Sequence, residues 1–177
     1  NIPLISYLVL NGKSRCCKKM ISFQYPAVEL TSALISILVF VKFGFNINTI
    51  LLFYFFLSLL IIFVSDLRFF IIPNEISYSL MIAGISICFF NKNPFGNDIY
   101  DCLIAGTGSI LIFFVISKIF FFLNGKEGLG LGDVKLIGAI GFWVGIDYTL
   151  FVIILSSLLG ITVGYVLISL KKFSSSD

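Results

Sequence analysis

The sequence contains no histidine, which removes every mechanism that needs an imidazole side chain. A Ser-His-Asp triad, a Cys-His dyad, an HExxH zinc site and a His-ligated haem are therefore excluded. Any chemistry must come from the 9 acidic residues, the 12 basic residues, the 4 cysteines, hydroxyl groups or the backbone.

Charge is also scarce. Only 12% of the 177 residues are charged and 59% are hydrophobic, whereas an ordinary soluble domain has about 25% charged and about 45–50% apolar residues. A globule of this size could not bury so many apolar side chains, so the sequence predicts an integral membrane protein. The net charge of +3 is too weak an excess to indicate nucleic-acid binding, and we expect no such partner.

Six apolar runs follow a polar segment at residues 1–27. A helix that spans a bilayer needs about 20 residues, with a range of about 17–25. The sequence therefore predicts an all-α polytopic membrane bundle with about six transmembrane helices, preceded by a short cytoplasmic segment. The runs are residues 26–43, 47–65, 75–90, 100–123, 134–146 and 148–170.

The basic residues support this layout. If residues 1–27 are cytoplasmic, ten of the 12 Lys and Arg residues fall on the cytoplasmic side, as the positive-inside rule requires. The outside keeps only Lys42 and Lys92. The cytoplasmic set is Lys13, Arg15, Lys18, Lys19, Arg68, Lys118, Lys126, Lys135, Lys171 and Lys172.

The fifth run is too short for an ordinary span, because 13 residues cover only about 20 Å of a roughly 30 Å hydrocarbon core. Gly141 and Gly145 have the GxxxG spacing, and Gly160 and Gly164 repeat it in the sixth run. Small residues at this spacing let helices approach closely in lipid. We interpret both pairs as ordinary helix packing without a catalytic role.

Two aspartates lie at the predicted cytoplasmic boundary. Asp66 ends the second run, and Asp133 follows the three close glycines of Gly128-Leu129-Gly130-Leu131-Gly132. Ionisable groups at a membrane are costly and are functional candidates. A structural interpretation of each stays open: Arg68 could neutralise Asp66 at a helix end, and Asp133 could be a helix N-cap before Val134.

Two facing carboxylates suit peptide hydrolysis without histidine. Close like charges do not both ionise easily, so the pair shares one proton. The ionised member activates water and the protonated member binds the scissile carbonyl oxygen. Gly130 and Gly132 would let a substrate backbone approach Asp133. From spacing alone, binding or transport of a cation by the same carboxylates is an equal alternative.

Four blocks in order resemble the prepilin peptidases, also called type IV leader peptidases, which are membrane aspartyl proteases of the GxGD type. Gly130-Leu131-Gly132-Asp133 matches the GxGD element itself. The other resembling blocks are residues 1–8, residues 21–30 (ISFQYPAVEL) and the stretch from Asp66-Leu67-Arg68 to Ile72-Pro73-Asn74. The similarity covers most of the chain.

The resemblance implies an aspartic endopeptidase of the plasma (inner) membrane, with its site at the cytoplasmic face. Its partners would be the lipid bilayer and prepilins or pseudopilins of type IV pili, type II secretion or DNA-uptake systems, cleaved after a Gly that ends a basic leader. Asp66 and Asp133 would be the catalytic residues. We also assign Gly130, Gly132, Lys135 and Arg68 to the substrate and active-site loop. For Lys135 and Arg68, which flank the aspartates, anchoring at the cytoplasmic face is an equal alternative.

The resemblance also implies cofactors for a second activity. Many members methylate the new N-terminus with S-adenosylmethionine, and that activity stays open here because it depends on an N-terminal part outside this sequence. The peptidase itself needs no cofactor. Such members often carry two Cys-x-x-Cys pairs for zinc, but Ser14 stands where the first cysteine of the second pair is expected. With Cys17 as the only matching candidate ligand, we expect no zinc site in this chain.

The resemblance divides the chain into three parts. Residues 1–27 would be a cytoplasmic remnant of the methylating and zinc region, 28–172 the peptidase domain and 173–177 a tail. The chain begins with Asn1 and has no signal-peptide pattern, so we expect a truncated fragment or a naturally short member. The rival functions are an ion-coupled transporter that uses Asp66 with Glu75 or Asp133, and a non-catalytic assembly subunit.

Overall fold

The computed structural model describes residues 6–7, 9–90, 93–125 and 128–169. Within these ranges the regular structure is helical, which confirms the predicted all-helical fold. Several residues used in the topology prediction lie outside the described ranges. They are Lys92, Lys126, Lys171 and Lys172, together with most of the block 1–8 and the tail 173–177.

Five helices follow one another in the described part of the chain. Four of them are long and apolar enough to cross a membrane, so the chain has the membrane character that its composition predicts. The helices are α1 (Gln24–Phe43), α2 (Ile47–Phe69), α3 (Asn74–Phe89), α4 (Ile99–Asn124) and α5 (Leu131–Ser169). The apolar helix α3 has 16 residues and is about 24 Å long.

The fifth and sixth predicted segments are found as one element, α5, with a break inside it. Gly145 has φ 75° and ψ −177°, a backbone conformation that is essentially restricted to glycine. The break leaves a first part of about 21 Å at residues 131–144 and a second part of about 36 Å at residues 146–169. The prediction of a short segment followed by a full-length one therefore matches the two parts of α5.

The chain divides into two compact units, Asn1–Ile76 and Ser77–Asp177. In the first unit, α1 packs on α2. Their short connection is closed by Asn46, whose Oδ1 accepts a hydrogen bond from Ile47 N at 2.6 Å, and by Thr49, whose hydroxyl donates to Gly44 O at 2.7 Å.

In the second unit, α4 and α5 pack closely because small residues face each other. A Cβ added to Gly141 would lie 2.8 Å from the backbone carbonyl of Ala105, so the two backbones are in direct contact there. The helix α3 joins this pair through Trp143, whose indole N–H donates to Leu80 O at 2.8 Å. Gly160, by contrast, does not pack against another helix in the described part of the chain, because a Cβ there would meet no atom within 4 Å. The interpretation of this glycine as a packing residue is therefore not supported.

Polar side chains cap both sides of the break at Gly145. Asn93 and Asn97 donate to the last two carbonyls before it, at 2.9 and 2.6 Å. Asp101 Oδ1 accepts from the first backbone N–H after it, at 3.3 Å. Backbone groups freed by a helix break must be satisfied within the protein when the helix lies in lipid, and these three side chains do so.

Candidate active site

Asp66 lies in the last turn of α2, where the chain leaves the helix in a tight turn. Phe70 follows the helix in the left-handed conformation, with φ 53°, and its N–H donates to Asp66 O at 2.9 Å. The Ser65 hydroxyl closes the same turn by donating to Ile71 O at 2.9 Å. This turn ends the helix at Phe69, within one turn of Asp66, and Asp66 is exposed.

Arg68 is held by the start of α1. Its Nε donates a hydrogen bond to Gln24 Oε1 at 2.5 Å, and its guanidinium lies over the ring of Tyr25, 5.3 Å from the ring centroid. The aromatic face attracts the positive charge of the guanidinium and the amide oxygen accepts one of its hydrogen bonds, so the group does not depend on a carboxylate partner. Both observed partners of Arg68 belong to α1, which argues against the interpretation of Asp66 as a charge neutralised by Arg68.

Asp133 lies in the first turn of α5. The helix begins at Leu131, and Gly130 O accepts backbone hydrogen bonds from Asp133 N at 3.1 Å and from Val134 N at 3.4 Å. The interpretation of Asp133 as the N-cap is therefore wrong, because the helix starts two residues before it. A carboxylate in a first helical turn is stabilised by the unpaired N–H groups there, and Asp133 is partly exposed.

The absence of a side chain at Gly130 leaves space beside the Asp133 carboxylate. A Cβ at Gly130 would lie 3.4 Å from Asp133 Oδ2, in van der Waals contact with it. Gly130 is not among the residues with positive φ, so its backbone does not need glycine. A side chain at this position would therefore lie against the Asp133 carboxylate.

The loop before Asp133 is fastened to α4. The Ser117 hydroxyl donates to Leu129 O at 3.0 Å, and the ring of Phe120 fills the place that a side chain on Gly128 would take. These two contacts hold the glycine-rich segment against the end of a membrane helix. They fix the point at which α5 begins and therefore the position of Asp133.

Lys135 and Gly132 flank Asp133 in sequence. The ammonium group of Lys135 lies over the ring of Tyr78 of α3, 4.9 Å from its centroid, and the residue is partly exposed, as is Gly132. Lys135 thus makes contact with a neighbouring helix of its own unit. Asp66 and Asp133 belong to different units, and their convergence stays a prediction.

The described residues do not fit a zinc site. They contain no group of three or more Cys, Asp or Glu side chains that could hold a metal ion, and Cys16 and Cys17 are exposed free thiols. A hydrogen bond with the Ser14 side chain, followed by a backbone hydrogen bond at Lys19, lowers the pKa of Cys17. The segment offers two adjacent thiols where a structural zinc ion needs four ligands.

Sequence reasoning did not assign a role to Gln24 or Ser117. Gln24 is separated from Arg68 by 44 residues, so only the packing of α1 on α2 reveals their contact. Ser117 had a signal in the sequence, because it is a polar residue within the apolar run of α4. The structure shows that it is buried. Buried hydroxyls require a hydrogen-bond partner, and that requirement could have directed attention to it.

Two family models match the chain. The model of the type IV leader peptidase family matches residues 53–165, which include both aspartates. The model of the bacterial peptidase A24 N-terminal domain matches residues 1–43.

Several curated proteins are similar over almost the whole chain. A prepilin leader peptidase/N-methyltransferase of Aeromonas hydrophila is 34% identical over 176 residues, which cover 99% of this chain and 60% of the relative. Proteins of the same name from Stutzerimonas stutzeri and Pseudomonas aeruginosa are 34% and 33% identical over 177 residues, covering 99% of this chain and 60% and 59% of the relatives. The chain thus spans about 60% of the length of the relatives it matches. No solved structure matches significantly.

Proposed function

Because the chain belongs to the type IV leader peptidase family, we propose that it cleaves the leader peptide from prepilins or pseudopilins, with Asp66 and Asp133 as the catalytic pair. The observation that carries this proposal is the state of the two carboxylates. Asp66 is exposed beside an arginine that is engaged by α1, and Asp133 is partly exposed in the first turn of α5, with Gly130 beside its carboxylate.

In the proposed reaction the two carboxyl groups share one proton. The ionised member removes a proton from a water molecule while that water attacks the scissile carbonyl carbon. The protonated member donates a hydrogen bond to the carbonyl oxygen and stabilises the charge that develops there. Because the proton belongs to the pair, neither aspartate is assigned as the permanent acid.

The residues around Asp133 have supporting roles in this proposal. The open space at Gly130 admits the extended backbone of the substrate to the carboxylate, and Gly132 keeps the next position free of a side chain. Lys135, held over Tyr78, and Arg68, held over Tyr25, shape the charge around the two aspartates. Neither cation is proposed to touch the reacting atoms.

We place the reaction at the cytoplasmic face of the inner membrane. This orientation is supported by the distribution of basic residues. A prepilin fits such a site, because its basic leader would remain on the cytoplasmic side while the apolar helix that follows the cleaved bond lies in the bilayer. The cut would follow the Gly at the end of the leader.

Methyl transfer to the new N-terminus is a separate proposal, in which S-adenosylmethionine supplies the methyl group. A cavity of about 320 Å³ in the first unit presents two cations and one carboxylate, the charges that the amino-acid end of this molecule requires. Lys13, Arg15 and Glu29 are the lining residues that would hold it. No step of peptide cleavage depends on this cofactor.

The proposed peptidase activity is tested with the chain in membranes and a full-length prepilin in the same bilayer. The expected result is a shortened pilin whose mass and N-terminal sequence place the cut directly after the leader Gly. A well-folded preparation that leaves the prepilin at full length, or cuts it elsewhere, would overturn the proposal.

A further inference from the structure

The segment before α1 folds into a small closed loop, here called the basic hairpin and defined as residues 12–21. Lys13 and Met20 pair across it in an antiparallel bridge. Ile21 N donates to Gly12 O at 2.7 Å, and Ser14 N donates to Lys19 O at 2.9 Å. These backbone hydrogen bonds give the segment a defined shape, in which residues 15–20 are exposed.

The basic hairpin is cationic throughout. Four basic side chains project from it, and all four are exposed. Lys13 and Arg15 line a cavity together with Glu29, whereas Lys18 and Lys19 are not part of that lining. The four cations are Lys13, Arg15, Lys18 and Lys19.

Two large apolar side chains stand beside these cations. Met20 is 83% exposed and Phe23 is 73% exposed. Exposed apolar groups next to lysines are typical of segments that lie in a membrane interface, where the apolar groups enter the acyl boundary and the cations meet the headgroups.

The chain keeps the basic hairpin close to the bilayer. Only residues 22–23 separate it from Gln24, the first residue of the membrane-length helix α1. Five Cα steps from Lys19 to Gln24 span at most about 18 Å, which keeps Lys18 and Lys19 beside the membrane helix α1. Basic residues next to a membrane helix are attracted to anionic headgroups, and this attraction falls off within a Debye length of about 8–10 Å.

We propose that Lys18 and Lys19 of the basic hairpin bind anionic lipid headgroups, with Met20 and Phe23 inserted at the acyl boundary. Charge complementarity favours this partner, because each lysine near an anionic surface contributes about 1 kcal/mol. A basic leader peptide would be repelled by the same charges. The inference stands on the hairpin alone and is independent of the peptidase proposal.

The native cysteines make this proposal directly testable. Cys16 and Cys17 are exposed, whereas Cys88 and Cys102 are 1% and 0% exposed. In a Cys16→Ser variant, a polar maleimide fluorophore should therefore label Cys17 alone. The labelled chain is reconstituted into bilayers of phosphatidylcholine with phosphatidylglycerol, in which either lipid carries a brominated chain that quenches the fluorophore.

Quenching by brominated phosphatidylglycerol is expected to exceed quenching by brominated phosphatidylcholine at equal mole fraction, and high salt should reduce the difference. Lys19→Gln should lower this preference about fivefold and Lys18→Gln with Lys19→Gln roughly 30-fold. Lys42→Gln, an exposed lysine in the last turn of α1, is the matched control and should change nothing. Equal quenching by the two lipids, or a preference that survives the double substitution, would overturn the proposal.

Discussion

The Nε atom of Arg68 donates a hydrogen bond to Oε1 of Gln24 at 2.5 Å, so the end of α2 is joined to the start of α1 by a side-chain contact. Tyr25 adds its ring beneath the same guanidinium. Two residues that are adjacent in sequence, Gln24 and Tyr25, thus engage the basic residue that follows Asp66 two positions later. In our account this contact keeps the guanidinium off the carboxylate, which stays available for water and substrate.

Replacement of Gln24 by leucine is predicted to slow prepilin cleavage about tenfold or more. The substitution removes the acceptor of Arg68, and the released guanidinium would then pair with Asp66 and compete with the catalytic water, since hydrogen bonds to charged groups are worth about 1.5–3 kcal/mol. The measurement is the initial rate of cleavage in membranes.

Two further variants separate this explanation from general damage. Gln24→Glu keeps an acceptor for Arg68 and should retain most of the rate. Adding Arg68→Gln to Gln24→Leu removes the competing cation and should restore the rate, as a double-mutant cycle requires for coupled residues. If the double variant is as slow as Gln24→Leu, Arg68 does not act through Asp66 in the way proposed.

Gly130→Ala is predicted to reduce cleavage about tenfold or more while leaving stability unchanged. The new methyl group would lie 3.4 Å from Asp133 Oδ2, in the space through which the substrate backbone approaches, and small misplacements at a reacting centre can cost about 100-fold. Cleavage rate and thermal unfolding are measured together. Gly108→Ala, which would meet no described atom within 4 Å, is the control, and equal rates for the two variants would contradict the role of Gly130.

The helical fold could be predicted because run length and charge distribution are local properties of the sequence. The position of Asp133 within its helix could not be predicted. It depends on where α5 starts, and Ser117 and Phe120 set that start by holding the preceding loop against α4. From the sequence, a cap at Asp133 itself is an open alternative, whereas in the structure the first helical residue is Leu131.

Gly145→Ala is predicted to destabilise the protein by about 1–3 kcal/mol or more. The positive φ is unfavourable for alanine, and its Cβ would lie 2.7 Å from Asn97 Nδ2, which caps the helix end. Thermal unfolding in detergent, followed by the helical circular dichroism signal, measures this effect. Gly160→Ala in the same helix meets open space and should melt at the same or a slightly higher temperature, since alanine favours the helix. Equal melting temperatures for the two variants would contradict a strained backbone at Gly145.

Cys17 is predicted to react with alkylating reagents at lower pH than an ordinary cysteine. The hydrogen bond with Ser14 lowers its pKa, so the reactive thiolate is populated below the usual midpoint of about 8.5. The alkylation rate of a Cys16→Ser variant is measured against pH. Ser14→Ala removes the largest cause and should move the midpoint to higher pH; an unchanged midpoint would show that Ser14 does not stabilise the thiolate.

The candidate catalytic residues could be found from sequence, because a carboxylate at a membrane boundary is costly and therefore conspicuous. The contacts around these two residues could not be predicted from the sequence. The contact of Arg68 with Gln24 joins two helices across 44 residues, and no periodicity or local pattern encodes it. Likewise, the spacing of Gly141 and Gly145 suggested packing for both glycines, but Gly141 packs against α4 while Gly145 breaks α5.

The most direct test of the central claim is prepilin conversion by Asp66→Asn and Asp133→Asn variants, measured in membranes beside the unchanged chain. Asparagine keeps the size of each side chain but cannot share or transfer the proton, so the account predicts no mature pilin from either variant. Asp147→Asn, at an exposed position beyond the break in α5, is the control and should process normally. Normal conversion by either Asp66→Asn or Asp133→Asn would contradict the paired-aspartate mechanism.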